Sequence, residues 1–353
     1  MIYRPDFDHE PFKPNGRADA PPPKESPGFF LPVGECAPEP ALPTFQFFDA
    51  FVESYKPPEY LLDHVFVSGS LYTITAATGT GKTAVLILLM LAIIPGRADL
   101  MGIKVKRGRV LVVCAEDPEG FKARLIVAAW AFGISWEGLS TWLVIVEGSI
   151  KPEAIISLAN KLSEDGEFAL IVGDTLQALF DGKDANNPIE VGGYFRRWRE
   201  ARKLPGSPAV IIAAHPPKGA PNLLPAGSMA ATNEIDGNAT LAPEGSSGLV
   251  RLHWEGKFRG RFEPMLWRFE MLTAPMVTWK DGTERKLPVL FPATMETAEE
   301  RQRAEGNTDG ALLLSMIAEP GGTQQQWSET VGRSKRAESR LKCNNTFKVL
   351  ARG

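Results

Sequence analysis

Lys82 and Thr83 close an octapeptide, Ala76-Ala77-Thr78-Gly79-Thr80-Gly81-Lys82-Thr83, that sets an ammonium and a hydroxyl directly after two glycines. That pattern suits the holding of a phosphate chain. The glycines let successive backbone N–H groups close around an anion, at a helix N-terminus whose dipole already favours negative charge. Ala77, Thr78, Gly79, Thr80 and Gly81 would supply those backbone donors. Lys82 would reach the β- and γ-phosphates, and the Thr83 hydroxyl would ligate Mg²⁺. The first glycine of the motif is replaced by Ala76, so the backbone there must accommodate a Cβ.

Holding a nucleotide is not hydrolysing it, which also requires a positioned metal and an activated water. Three strand-like runs end in residues of the right kind. Asp174 ends an apolar run and would position Mg²⁺ through its water shell. Glu116 ends a second and would orient or deprotonate the attacking water, a role for which its neighbour Asp117 competes. His215 ends a third and would touch the γ-phosphate and report its loss. Open α/β sheets bind ligands at the C-terminal ends of their strands, where all three would stand.

These residues need a scaffold, and the pattern between them describes one. Leu71–Thr75, Arg109–Ala115, Trp142–Val146, Phe168–Val172 and Ala209–Ala214 are apolar runs without alternation. Such runs indicate parallel strands covered on both faces. Between them lie helical stretches over 84–91, 119–132, 153–165 and 191–203, while Leu249–Thr273 alternates and predicts antiparallel strands. The expectation is an α/β nucleotide-binding sandwich with a mainly parallel central sheet, over residues 46–290. Residues 1–45 hold 11 of the 29 prolines and predict a disordered arm whose partner the sequence does not name. Residues 291–308 read as a linker. Residues 309–353 predict three short helices with a tight second turn, a helix-turn-helix in plain or winged form.

Composition narrows the class. A chain of 353 residues, 44% hydrophobic and 23% charged, can bury one large core and a small one. A net charge of −3 argues against a protein that coats nucleic acid uniformly, but Val331–Gly353 carries seven Lys or Arg against one acid. That local excess suits contact with DNA phosphates. Three widely spaced cysteines form neither a disulfide framework nor a metal set. The longest apolar stretch, Ala84–Ile94, is too short to span a bilayer. The N-terminus lacks the basic-then-apolar order of a secretory leader. The expectation is therefore a cytoplasmic protein without a membrane partner.

The run Val110-Leu111-Val112-Val113-Cys114-Ala115-Glu116-Asp117-Pro118, the run Leu170–Thr175 and the spacing on to His215 together resemble the RecA-like P-loop ATPases related to the plasmid replicative helicase RepA. The likeness covers roughly residues 60–275. It implies that Glu116 is the catalytic glutamate, Asp174 the metal-positioning aspartate and His215 the γ-phosphate sensor. Residues 216–236, with Gly227-Ser228-Met229-Ala230-Ala231, resemble the loop and helix that face a central channel in such rings and touch DNA. Lys257-Phe258-Arg259 resembles the basic strand motif that reaches the ATP of a neighbouring subunit, where two cations would stabilise transition-state charge. The resemblance thus implies ATP and Mg²⁺ as ligands, a self-assembled ring (a hexamer), and a motor acting on DNA in replication or recombination. The alternative is an ATP-switched DNA-binding regulator or loader that does not unwind. Gly173 departs from the apolar residue usual before the aspartate.

Overall fold

The computed structural model describes residues 46–294 and 296, except 186, 218, 220, 221, 227, 246, 247 and 259–261. The arm at 1–45, most of the 291–308 linker, the helix-turn-helix at 309–353 and Arg259 therefore lie outside the described residues. The chain divides into two units after Lys56. In the first, the described part holds one short helix, α1 (Phe48–Glu53), whose residues are all exposed.

The second unit opens with a small antiparallel pair, β1 (Tyr60–Leu62) and β2 (Phe66–Val67). It then runs β3 (Leu71–Thr75), α2 (Lys82–Ile93), β4 (Arg109–Cys114), α3 (Pro118–Ala131), α4 (Trp136–Ser140), β5 (Leu143–Glu147), α5 (Pro152–Leu162) and β6 (Phe168–Asp174). There follow α6 (Leu176–Leu179), α7 (Pro188–Arg199), β7 (Ala209–Ala214), α8 (Ser228–Glu234), β8 (Gly237–Glu244), β9 (Leu249–Phe258), β10 (Met265–Leu272) and β11 (Leu287–Ala293). One sheet of nine strands takes β3 to β11 in the order β11-β10-β9-β8-β3-β7-β6-β4-β5. The pairings from β8 across to β5 are parallel, and those among β8, β9, β10 and β11 are antiparallel.

The expected α/β architecture with a mostly parallel sheet is what the chain adopts. Apolar runs without alternation are explained by cover on both faces. In β4, Val110, Val112 and Cys114 join the cluster containing α2 and α3, while Leu111 and Val113 join the one containing α5 and α7. Side chains on successive strand residues point to opposite faces, so both sets must be apolar. Helix α2 is apolar all round because it is buried all round, Thr83 being its one residue that is not.

Besides the small β1–β2 pair, two strands of the nine-stranded sheet escaped the sequence reading. Strand β8 contains Gly237, Asn238 and Pro243, poor strand formers, and its place is fixed by hydrogen bonds across the sheet. The Asn238 side-chain oxygen accepts from the hydroxyls of Thr73 and Thr75, both at 2.7 Å. Strand β11 carries Pro288 and Pro292 and lies at the sheet edge, where a missing N–H can face away from the ladder. It continues to Ala293, past residue 290 where the sequence reading ends the domain.

Candidate nucleotide site

Register places the strand ends side by side. Thr75 pairs with Ala214 across β3 and β7, Gly173 with Ile212 across β6 and β7, and Cys114 with Asp174 across β4 and β6. The residues that follow each strand therefore share one edge of the sheet. Because β7 lies between β3 and β6, His215 emerges between the Lys82 loop and Asp174.

The loop from Ala76 to Gly81 turns from β3 into α2. Gly79 (φ +80°) and Gly81 (φ +103°) hold left-handed conformations that a Cβ would strain. Gly81 has a second constraint: the Phe269 ring of β10 lies 2.4 Å from where a Cβ would stand. Ala76 needs no glycine. Its φ is not positive, its Cβ is buried in the core, and its N–H donates to the Ala214 carbonyl at 3.2 Å. The departure at the first glycine of the motif is thus accommodated.

Lys82 is buried at 6% exposure, and its ammonium donates to the Ala76 carbonyl at 2.9 Å, the Ala77 carbonyl at 3.3 Å and His215 Nδ1 at 3.0 Å. Burial lowers its pKa from the ordinary lysine value, against the pull of Glu116 and Asp174. His215 is also pushed below its ordinary value, first by burial and then by the Lys82 charge. A neutral imidazole that accepts at Nδ1 carries its proton on Nε2. The Thr78 hydroxyl lies 3.4 Å from the same Nδ1. Gln177 holds the backbone of His215 at two points, with Oε1 accepting its N–H at 3.3 Å and Nε2 donating to its carbonyl at 3.4 Å.

Thr83 Oγ1 donates to Asp174 Oδ2 at 2.9 Å. Asp174 is 6% exposed, and burial raises its pKa to about 6, with Glu116 adding to the rise. Its second oxygen, Oδ1, is buried without a hydrogen-bond partner. A buried carboxylate oxygen left over beside a threonine hydroxyl is the donor pair a phosphate-bound divalent cation requires. Among the described residues no group of three or more His, Cys, Asp or Glu gathers to hold a metal unaided. The donor set therefore fits Mg²⁺ that arrives with phosphates, the usual mode for that ion.

Geometry separates Glu116 from Asp117. Asp117 caps α3, accepting from Gly120 N–H at 2.9 Å, and lies 3.5 Å from Arg124. Glu116 accepts from the Thr175 hydroxyl at 2.8 Å, and its N–H reaches the Asp174 carbonyl at 3.3 Å. The peptide bond joining Asp174 and Thr175 is cis. Lys257 stands apart on β9, its ammonium donating to the Asn233 carbonyl at 3.3 Å. The structure thus brings Lys82, Thr83, Glu116, Asp174 and His215 to one sheet edge but leaves Lys257 on β9, its ammonium against α8. Sequence reasoning missed Thr175, Gln177 and Phe269. Thr175 and Gln177 follow Asp174 by one and three positions, a signal available in the sequence, whereas Phe269 depended on a strand pairing.

The family model described as an AAA domain matches residues 36–221, a span that takes in the loop, Glu116, Asp174 and His215. No curated protein matches the chain. No helix among the described residues is long and apolar enough to cross a membrane.

Proposed function

The chain belongs to the AAA domain family, and from that premise we propose that it is a Mg²⁺-dependent ATPase of the RecA-like, RepA-related kind, working as a ring on DNA. One observation carries the catalytic part of this reading: Lys82, Thr83, Glu116, Asp174 and His215, from four separate segments, meet at one sheet edge around the phosphate loop. Lys82 leaves the Ala76 and Ala77 carbonyls to meet phosphate oxygens, which repay its buried charge better than carbonyl dipoles do. Thr83 and Asp174 would hold the cation, which would neutralise charge building on the phosphates. Glu116 takes the proton of the attacking water. His215 presents its Nε2–H to the γ-phosphate and loses that contact when the phosphate departs. Lys257 and Arg259 of a neighbouring copy complete the charge balance.

The test is ATP turnover by the full chain, with and without single-stranded DNA. Lys82→Ala is expected to abolish turnover and to weaken nucleotide binding. A variant that hydrolyses ATP at the wild-type rate would remove the site assignment. Strand separation on a forked duplex distinguishes the motor from the regulator, since the regulator binds DNA with ATP and never unwinds it. The basic segment at 331–353 is the sequence feature that favours that second reading.

A further inference from the structure

We propose that Thr175 is the positioning residue for Glu116, fixing one carboxylate oxygen so that the other faces the attacking water. The proposal rests on the reading of Glu116 as the base. A threonine at the N-cap of a helix ordinarily turns its side-chain oxygen toward the helix's own N–H groups. Thr175 sits at that position on α6 and makes no such bond. Its hydroxyl instead reaches across from the end of β6 to the end of β4 and donates to Glu116 Oε2 at 2.8 Å. Thr175 is buried at 2% exposure, so the direction of its side chain is set by packing. Glu116 is exposed on a loop.

Adjacency adds a consequence. Asp174 accepts from Thr83, and the next residue donates to Glu116. Two consecutive residues at the end of β6 thus tie the cation side of the site to the water side. A water aligned by a carboxylate with one fixed oxygen meets the γ-phosphate in a narrower range of directions, and orientation of this kind is worth one to two powers of ten in rate.

The experiment is steady-state ATP hydrolysis by the full chain, with thermal melting and binding of a fluorescent ATP analogue measured on each variant. Thr175→Val, which removes the hydroxyl and keeps the volume, is expected to lower kcat about tenfold or more with KM and analogue binding unchanged. Thr175→Ser is expected to restore most of kcat. Thr175→Ala removes the same hydroxyl and serves if the valine variant does not fold. In a Glu116→Gln background, Thr175→Val is expected to cost nothing further. Wild-type kcat in Thr175→Val, or equal loss in Thr175→Ser, would overturn the proposal. Full turnover in Glu116→Gln alone would instead overturn the reading of Glu116, a failure distinguishable from that of Thr175.

Discussion

Lys82 and Asp174 are both buried beside the loop, and burial acts on each against its charged form. For Asp174 the folded pKa, about 6, stands above its ordinary 3.8, so the folded protein binds the proton more tightly than the unfolded chain. Its contribution to stability is therefore greatest below the unfolded value and is lost as pH rises through about 6. At pH 7.5, without nucleotide, Asp174→Asn should raise the melting temperature, corresponding to ~1–3 kcal/mol for a shift of this size. With Mg²⁺ and ATP the order should reverse if Asp174 holds the cation as proposed, since the amide would lack the charge. Calorimetry under the two conditions checks both signs. Cys114, beside Asp174, is pushed up to about 12 chiefly by burial, and so is an inert core side chain rather than a nucleophile.

At the scale of elements, the phosphate loop is shaped from two directions. Its own glycines supply the left-handed turns, and β10 supplies Phe269 as a wall against Gly81. Gly79 has the same kind of backbone but nothing within 4 Å of its would-be Cβ. Alanine at 79 should therefore cost only strain, ~1–3 kcal/mol, while alanine at 81 should cost more because the ring must also move. Urea denaturation of the two variants, repeated with Phe269→Ala, checks this: the excess at 81 should vanish when the ring is gone. The unusual Gly173 is a third case. A Cβ there would come within 2.8 Å of Leu179, which α6 lays against β6. The neighbour there is the tip of a leucine side chain, so alanine at 173 should be accommodated by a rotamer change of Leu179.

At the scale of the whole molecule, the proposed motor requires two copies to make one site. If Lys257 and Arg259 act in trans, Lys257→Ala and Lys82→Ala are each inactive alone but complementary when mixed. A mixture should form some sites with an intact loop facing an intact Lys257, and should recover ATP turnover. Turnover that stays at zero on mixing, in samples that light scattering shows to be co-assembled, would remove the assignment of Lys257 to a neighbouring copy's site. The scaffold suits such an arrangement: Phe258 pairs with Gly237 and Gly237 with Tyr72, so the Lys257 end of β9 lies by the start of β3, while the loop follows Thr75 at its other end.

Much of this was legible in the chain itself. The loop, the parallel strands and the three polar residues at strand ends follow from local sequence, because apolar runs need burial on both faces and a phosphate needs glycine-shaped backbone. The sequence also marked Glu116 and Asp117 as rivals without separating them, and separation needed three dimensions: one carboxylate is consumed in capping α3, the other is met by Thr175. Strands β8 and β11 were hidden for the same reason, Gly237, Asn238 and the prolines of both being poor strand formers held in place by distant partners such as Thr73, Thr75 and β10. Local propensity determined which segments could do chemistry. Only the sheet order, which sets β7 between β3 and β6, decided which side chains meet, because contacts between residues far apart in the chain are fixed by strand pairing rather than by spacing.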